Sequence, residues 1–238
     1  LSANTTVPGV LERARRHRRK YGLAATAARA GQVAFDGVRA AAYMSEAHVW
    51  YELDVNGPRP RVPLEPGLDL RQGGPTDIPL LEPLNTIGPQ QARRRLADGH
   101  DLWFVLDGSR PMFSCSVFYG SMPDISMKSR VLSLPAGTAA LEDSMVAPAA
   151  RGKALGPAAW TLIADVLAAR GLTRLIRKVA LSNVPSQKAG IKVGFREVAI
   201  VRYRKLGPWF KRTVKPAGNG FASYLASPAD TPTGSYRS

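Results

Sequence analysis

The stretch Leu141 to Gly156, LEDSMVAPAARGKALG, constrains the fold of this chain more than any other. Leu141 to Ala147 reads as a strand, Pro148 and two alanines interrupt it, and a helical pattern runs from Pro157 to about Arg170. Between them lies Arg151-Gly152-Lys153-Ala154-Leu155-Gly156. A strand that feeds a tight basic loop and then a helix is a device for holding phosphate. The first amides of a helix have no intrahelical acceptor, and the helix dipole places partial positive charge there. Gly152 and Gly156 permit a positive φ or close approach of a ligand to the backbone. Arg151 and Lys153 add full charge. An ordinary strand-to-helix turn with solvated basic side chains satisfies the same pattern, so the loop alone does not decide.

A second stretch narrows the choice. Asn183 is followed by Ser186, Gly190 and Gly194-Phe195. In this order and spacing the two stretches resemble the GCN5-related N-acetyltransferase (GNAT) superfamily. That family carries an Arg/Gln-x-x-Gly-x-Gly/Ala loop after its fourth strand, then an Asn, a small residue three later and Gly-Phe eleven and twelve later. The resemblance covers roughly Leu68 to Leu206. It implies a mixed α/β (α+β) acyl-CoA N-acyltransferase fold, with a central mixed twisted sheet flanked by helices.

The resemblance also implies a donor, acetyl-CoA, and a primary amine as acceptor, attacked directly in a ternary complex without a metal. The coenzyme pyrophosphate would rest on the amides of Arg151, Gly152, Lys153, Ala154, Leu155 and Gly156. The pantetheine arm would run beside Met145, Val146 and Ala147, pairing like an added strand. Asn183 would reach the pantetheine or phosphate region, with Ser186 close by. A neutral amine must form before attack, so a carboxylate base is needed. Glu142 is the candidate, because it lies four residues before Val146 and a regular strand puts both on one face; Asp143 points the other way. A strand-end carboxylate that faces solvent fits Glu142 equally.

Three positions depart from the family. Many members carry a Tyr seven residues after the Asn to protonate the departing thiolate; here that position is Gly190, and Tyr119 and Tyr203 are substitutes without positional warrant. The fourth loop residue, usually Gly, is Ala154, which is tolerable if its φ is negative. Pro157 has no N–H to offer. These departures keep open an alternative, a weak or inactive protein of the same fold that binds CoA, a nucleotide or another anionic partner.

Charge sets the partner class. The formal net charge of +15 over 238 residues favours anions such as coenzyme, nucleotide-linked substrates, nucleic acid or anionic lipid. A hydrophobic fraction of 45% suits a globular chain. No apolar run is long enough to span a bilayer, and no apolar segment follows the N-terminal basic residues, so a cytoplasmic protein is expected. The single cysteine, Cys115, excludes an internal disulfide framework and reads as a buried thiol. His17, His48 and His100 form no ligand spacing.

Along the chain, residues 1–66 read as an N-terminal extension. It has a basic helix from Pro8 to about Arg29, a helical piece from Val33 to Tyr43, and one strand, His48 to Val55. The segment 11–20 carries six Lys/Arg against one Glu, and is a solvated helix face or a contact for nucleic acid or anionic membrane. Residues 67–226 form the acetyltransferase domain, and 227–238 a disordered tail. Within the domain, Thr76 or Asp77 caps a helix, Gln90 to Ala97 makes a second, and Asp101 to Leu106 pairs with Pro111 to Tyr119 across a hairpin turn. The fourth core strand is Ala139 to Ala147. Arg174 to Leu181 is a strand, Pro185 to Val193 a helix and Phe195 to Arg204 a strand. A last strand falls in PWFKRTVKP or FASYL. The chain reads as monomer or homodimer, and its acceptor is not encoded in any recognisable motif.

Overall fold

The computed structural model describes residues 43–226 except 128, 208 and 219. The N-terminal helices and the basic segment 11–20 lie outside the described residues, as does the tail; of the second helical piece only Tyr43 is described, and it opens a strand. The chain divides into two units, Leu1–Ser45 with Arg204–Lys211, and Glu46–Tyr203 with Arg212–Ser238. The described part of the first is the ends of three strands. The second carries the site.

In chain order the elements are β1 (Tyr43–Asp54), β2 (Leu68–Gly73), a 3-10 turn (Pro75–Leu81), α1 (Pro89–Ala97), β3 (Asp101–Asp107) and β4 (Arg110–Tyr119). Then follow β5 (Ser121–Pro123), β6 (Val131–Ser133), β7 (Thr138–Val146), α2 (Leu155–Ala169), β8 (Arg174–Ala180) and α3 (Val184–Lys192). The chain continues through β9 (Arg196–Leu206), β10 (Trp209–Pro216) and α4 (Phe221–Ala226). The main sheet runs β10-β9-β1-β8-β7-β4-β3-β2, and β5 and β6 form a small hairpin. β7 and β8 run parallel, and the pairs β1–β8, β2–β3, β3–β4 and β4–β7 are antiparallel. This is the expected mixed α/β architecture.

Several expectations are revised in detail. The helix expected at Thr76 is a 3-10 turn whose N-cap position is Gly74, and the Asp77 carboxylate accepts from the Gly74 N–H at 2.8 Å. The last strand is β10, and FASYL is helical. The strand expected as part of the extension lies inside the sheet, between β9 and β8. Burial explains its place. Val49, Trp50, Tyr51 and Leu53 are all nearly inaccessible, so successive side chains on both faces are covered, as in an interior strand.

Two apolar layers sandwich the sheet. On one side Trp160, Ile163 and Leu167 of α2 pack with Val117, Leu141 and Leu175. On the other, Trp50, Phe118, Ala140 and Ile176 meet Leu132 and the α4 residues Phe221 and Leu225.

The β4–β7 ladder carries a bulge. Phe113 pairs with Val146 and Ser114 with Met145, but Ser116 pairs with Glu142, so Asp143 and Ser144 together oppose Cys115. Asp143 takes φ +52°, a left-handed conformation that Asp tolerates better than most residues. Arg95 of α1, itself buried, holds the bulge. Its Nη1 lies 2.7 Å from Asp143 Oδ2 and donates to Ser116 Oγ at 2.6 Å. Arg95→Met keeps the apolar volume and removes both contacts. The expected cost is about 1–3 kcal/mol, mostly from the buried hydroxyl, because the Asp143 end is solvent-screened. Urea unfolding of the two proteins measures it; an unchanged midpoint would mean that the bulge does not depend on Arg95.

Candidate functional site

The β7–β8 pairing is short. Thr138, Ala139 and Ala140 pair with Arg174, Leu175 and Ile176, and beyond them the strands part. A bulge bends its strand and increases local twist, and this one begins three residues after the last pair. Between the diverging strands is a cavity of about 220 Å³, lined by 141–144 of β7 and 177–180 of β8, with His48, Asn183 and Ser186.

The bulge changes where Glu142 points. Counting along a regular strand puts Glu142 and Val146 on one face. The extra residue puts them on opposite faces: Glu142 sits opposite Ser116, while Val146 sits opposite Phe113. Glu142 therefore shares its face with Ala140 and Phe118. Its carboxyl is largely buried, with Oε1 free of any hydrogen bond, and Oε2 3.9 Å from Lys178 Nζ. Burial pushes the Glu142 carboxyl up to about 7, against the opposing pull of the Lys178 ammonium. Lys178 is tied to the same face. Its ammonium lies 3.5 Å from Asp124 Oδ1, donates to the Pro123 carbonyl at 3.0 Å and stands 5.6 Å from the Trp50 ring centre. Burial and Lys178 hold His48 below its ordinary value.

Arg177 faces the other side. Its guanidinium carbon stands 3.9 Å from the Trp160 ring centre and 5.5 Å from that of Phe195. Nη2 donates to Ser186 Oγ at 2.7 Å. A Cβ on Gly190 would come 3.1 Å from Arg177 Nη1, so the position where a tyrosine was looked for is filled by the arginine. Asn183 caps α3, its Oδ1 accepting from the Ser186 N–H at 3.3 Å.

The loop expected to hold phosphate is in place between β7 and α2. Arg151, Gly152, Lys153 and Ala154 are exposed, and the Leu155 and Gly156 amides open α2, where no intrahelical acceptor exists. Lys153 Nζ is 3.7 Å from Glu65 Oε2. Two details differ from expectation. Ala154 has φ +55°, not the negative value that would excuse an alanine, and a left-handed conformation costs a non-glycine residue roughly 1–2 kcal/mol. Gly156 serves packing: a Cβ there would come 3.1 Å from the Trp160 ring. Of the trio Met145, Val146 and Ala147, the first two pair with β4 and lie beyond the last β7–β8 pair, outside the cavity lining; the Ala147 N–H is taken by the Met112 carbonyl at 2.8 Å.

The two tyrosines proposed as substitute acids do not line the cavity. The Tyr119 hydroxyl donates to Asp101 at 2.6 Å, next to Arg170. Tyr203 is buried and its hydroxyl is pushed up by burial and by Glu46. Cys115 is a buried thiol, also pushed up by burial. Arg177, Lys178, Asp124 and His48 were not singled out from the sequence. The signal was there for two of them: RLIRKVA places adjacent cations inside an otherwise apolar strand, and charges are seldom buried without a purpose or a partner.

Residues 114–195 match the family model Acetyltransferase (GNAT) family. That segment is about a third of the chain, and it is what the chain shares with the GNAT family. The matched segment begins on β4 and ends at Phe195, so it holds the bulge, the gap, the loop, Arg177 and the capping Asn183. Solved structures agree on the fold. A Drosophila protein aligns with TM-score 0.51 and 13% identity over 75% of this chain and 57% of its own. A GNAT-family protein from Novosphingobium aromaticivorans aligns with TM-score 0.50 and 18% identity over 72% of this chain and 68% of its own. The chain thus spans little more than half the length of the Drosophila protein. No curated protein matches it. Among the described residues no helix is long and apolar enough to cross a membrane, and no three His, Cys, Asp or Glu side chains gather as a metal site.

The Glu142 shift is also a statement about stability. Its carboxyl rises from 4.5 to about 7 on folding, so between these values the folded protein binds more protons than the unfolded chain. Stability falls as pH climbs through that window, and the penalty is complete above it. Glu142→Gln removes the dependence. The variant is expected to gain up to about 3 kcal/mol relative to wild type between pH 4.5 and pH 8. Urea midpoints at the two pH values read the difference; parallel curves would show that Glu142 ionises freely in the fold.

Proposed function

We propose that the GNAT domain transfers an acetyl group from acetyl-CoA to a primary amine by direct attack, with Glu142 as the base. The observation that carries this reading is the gap between β7 and β8, with a buried, unpartnered carboxyl oxygen in its wall. The site suits the coenzyme. Leu155 and Gly156 offer amides, and Arg151 and Lys153 charge, for phosphates. The unpaired edge of Met145 and Val146 can take an extended arm by strand-like pairing. Asn183 and Ser186 border the same gap. Acetyl-CoA supplies, when bound, a thioester carbonyl carbon. Glu142 takes a proton from the incoming amine, and a carboxyl poised near 7 is suited to that task at neutral pH. Lys178 keeps the carboxylate form from being pushed further out of range. The net charge of +15 favours acceptors that carry phosphate or carboxylate.

Calorimetric titration with acetyl-CoA tests the donor. Wild type is expected to bind, and the double variant Arg151→Glu, Lys153→Glu to bind at least about tenfold more weakly, or about 1.4 kcal/mol. Amines that release thiol in a screen then serve as acceptors. With the best of them, Glu142→Gln is expected to lower kcat/KM by about 10²–10⁴ and to abolish the rise in rate with pH near 7, while acetyl-CoA affinity stays within twofold. No binding by wild type sinks the donor assignment. Binding without turnover of any amine favours the catalytically silent CoA binder.

A further inference from the structure

Arg177 is unusual in its surroundings. It is 4% exposed, on a strand flanked by apolar side chains, and only one of its three nitrogens has a hydrogen-bond partner. Nε and Nη1 are buried and unpartnered. A buried guanidinium with two idle donors carries a desolvation cost that one hydrogen bond and an aromatic stack repay only in part. The cost is real here: burial lowers Arg177 to about 10, yet that leaves it protonated at neutral pH. The side chain is fixed by the Trp160 ring, by Ser186 and by the space at Gly190, and it lines the cavity. The carboxylate that acts on it most strongly, Glu142, is turned to the opposite face and engaged with Lys178. The gap therefore has polarity across it. One face carries a proton acceptor, and the other a fixed positive charge beneath the helix whose first amides and preceding loop suit phosphate.

We propose that Arg177 receives the negative charge of the departing sulfur, holding the thiolate of CoA by its idle donors rather than protonating it. The proposal rests on the acetyl-transfer reading above. In the step, the amine nitrogen forms a bond to the carbonyl carbon and gives its proton to Glu142. The carbon–sulfur bond breaks and its electron pair stays on sulfur, against the guanidinium. Arg177 keeps its protons throughout. No phenol is needed at position 190, and a side chain there would collide with the guanidinium. The titratable groups whose charge Arg177 feels are Glu142 from β7, Tyr51 from β1 and Cys115 from β4. Burial raises both Tyr51 and Cys115, so Glu142 is the one that titrates near neutrality.

The test compares free CoA with desulfo-CoA, which lacks the thiol, from about pH 7.5 to about pH 9.5, where Glu142 is already ionised. The ultraviolet absorbance of the thiolate reports the ionisation of bound CoA. In wild type the bound thiol is expected to ionise at least one pH unit lower than free CoA, equivalent to about tenfold tighter binding of the thiolate. Arg177→Gln is expected to abolish that shift while keeping desulfo-CoA affinity within about twofold. Gly190→Ala, which crowds Nη1, is expected to reduce it. A bound thiol in wild type that ionises like free CoA overturns the proposal without any variant. So does a shift that survives in Arg177→Gln. Loss of CoA and desulfo-CoA binding together in Arg177→Gln shows a structural role and also overturns it. Failure of wild type to bind either compound is a distinct outcome and removes the donor reading itself.

Discussion

Three residue pairs hold β7 to β8, and the point where they stop decides the rest of the molecule. A continuous parallel ladder would satisfy the backbone of both strands and leave no room between them. Here the ladder ends at Ala140–Ile176 and the bulge at Asp143 and Ser144 turns β7 away. The turn is secured from two directions. Arg95 holds Asp143 and Ser116 from α1, and Trp160 donates its indole N–H to Ser144 Oγ at 3.2 Å from α2. The bulge is therefore tied to helices on both sides of the sheet, and the shape of the gap depends on both.

Charge is distributed across that gap in a way that uses the low polarity of the interior. Burial alone would neutralise Glu142 and expel Arg177. Each is kept by a specific arrangement: Lys178 with Asp124 on one face, and an aromatic surface with a serine hydroxyl on the other. Two glycines make the second arrangement fit. Gly156 lets Trp160 approach the start of its own helix, and Gly190 leaves the volume that the guanidinium fills. They sit on different helices yet serve one stack.

Much of this was legible beforehand. The basic loop and the order of strands and helices are written in local patterns, because turn chemistry and periodicity act over a few residues. The bulge was not. Asp143 and Ser144 carry no glycine and no break in strand character, and the left-handed turn at Asp143 is stabilised by Arg95, nearly fifty residues earlier. That one inserted residue reverses the face of Glu142, so the geometry expected for it from a regular strand does not hold. Ala154 was no more legible: local preference argues for negative φ, yet it takes a left-handed conformation at the N-cap of α2, just before the buried Leu155 and Gly156. Arg177 was visible as a charge in an apolar strand. Its meaning depended on Gly190 and Trp160, which only the fold brings beside it.

The place of β1 has a consequence for how the chain is assembled. Glu52 pairs with Ile176, a partner about 120 residues further along. Closing so long a loop costs entropy before any contact rewards it, and such pairings are slow to form. During synthesis β1 must wait, its apolar faces uncovered, until β8 and β9 have been made. A chain begun at residue 67 would never complete the sheet. It would leave β8 and β9 with open edges where an interior strand belongs, an invitation to pair with a neighbouring molecule. The wall of the gap that carries Arg177 and Lys178 would then have nothing behind it.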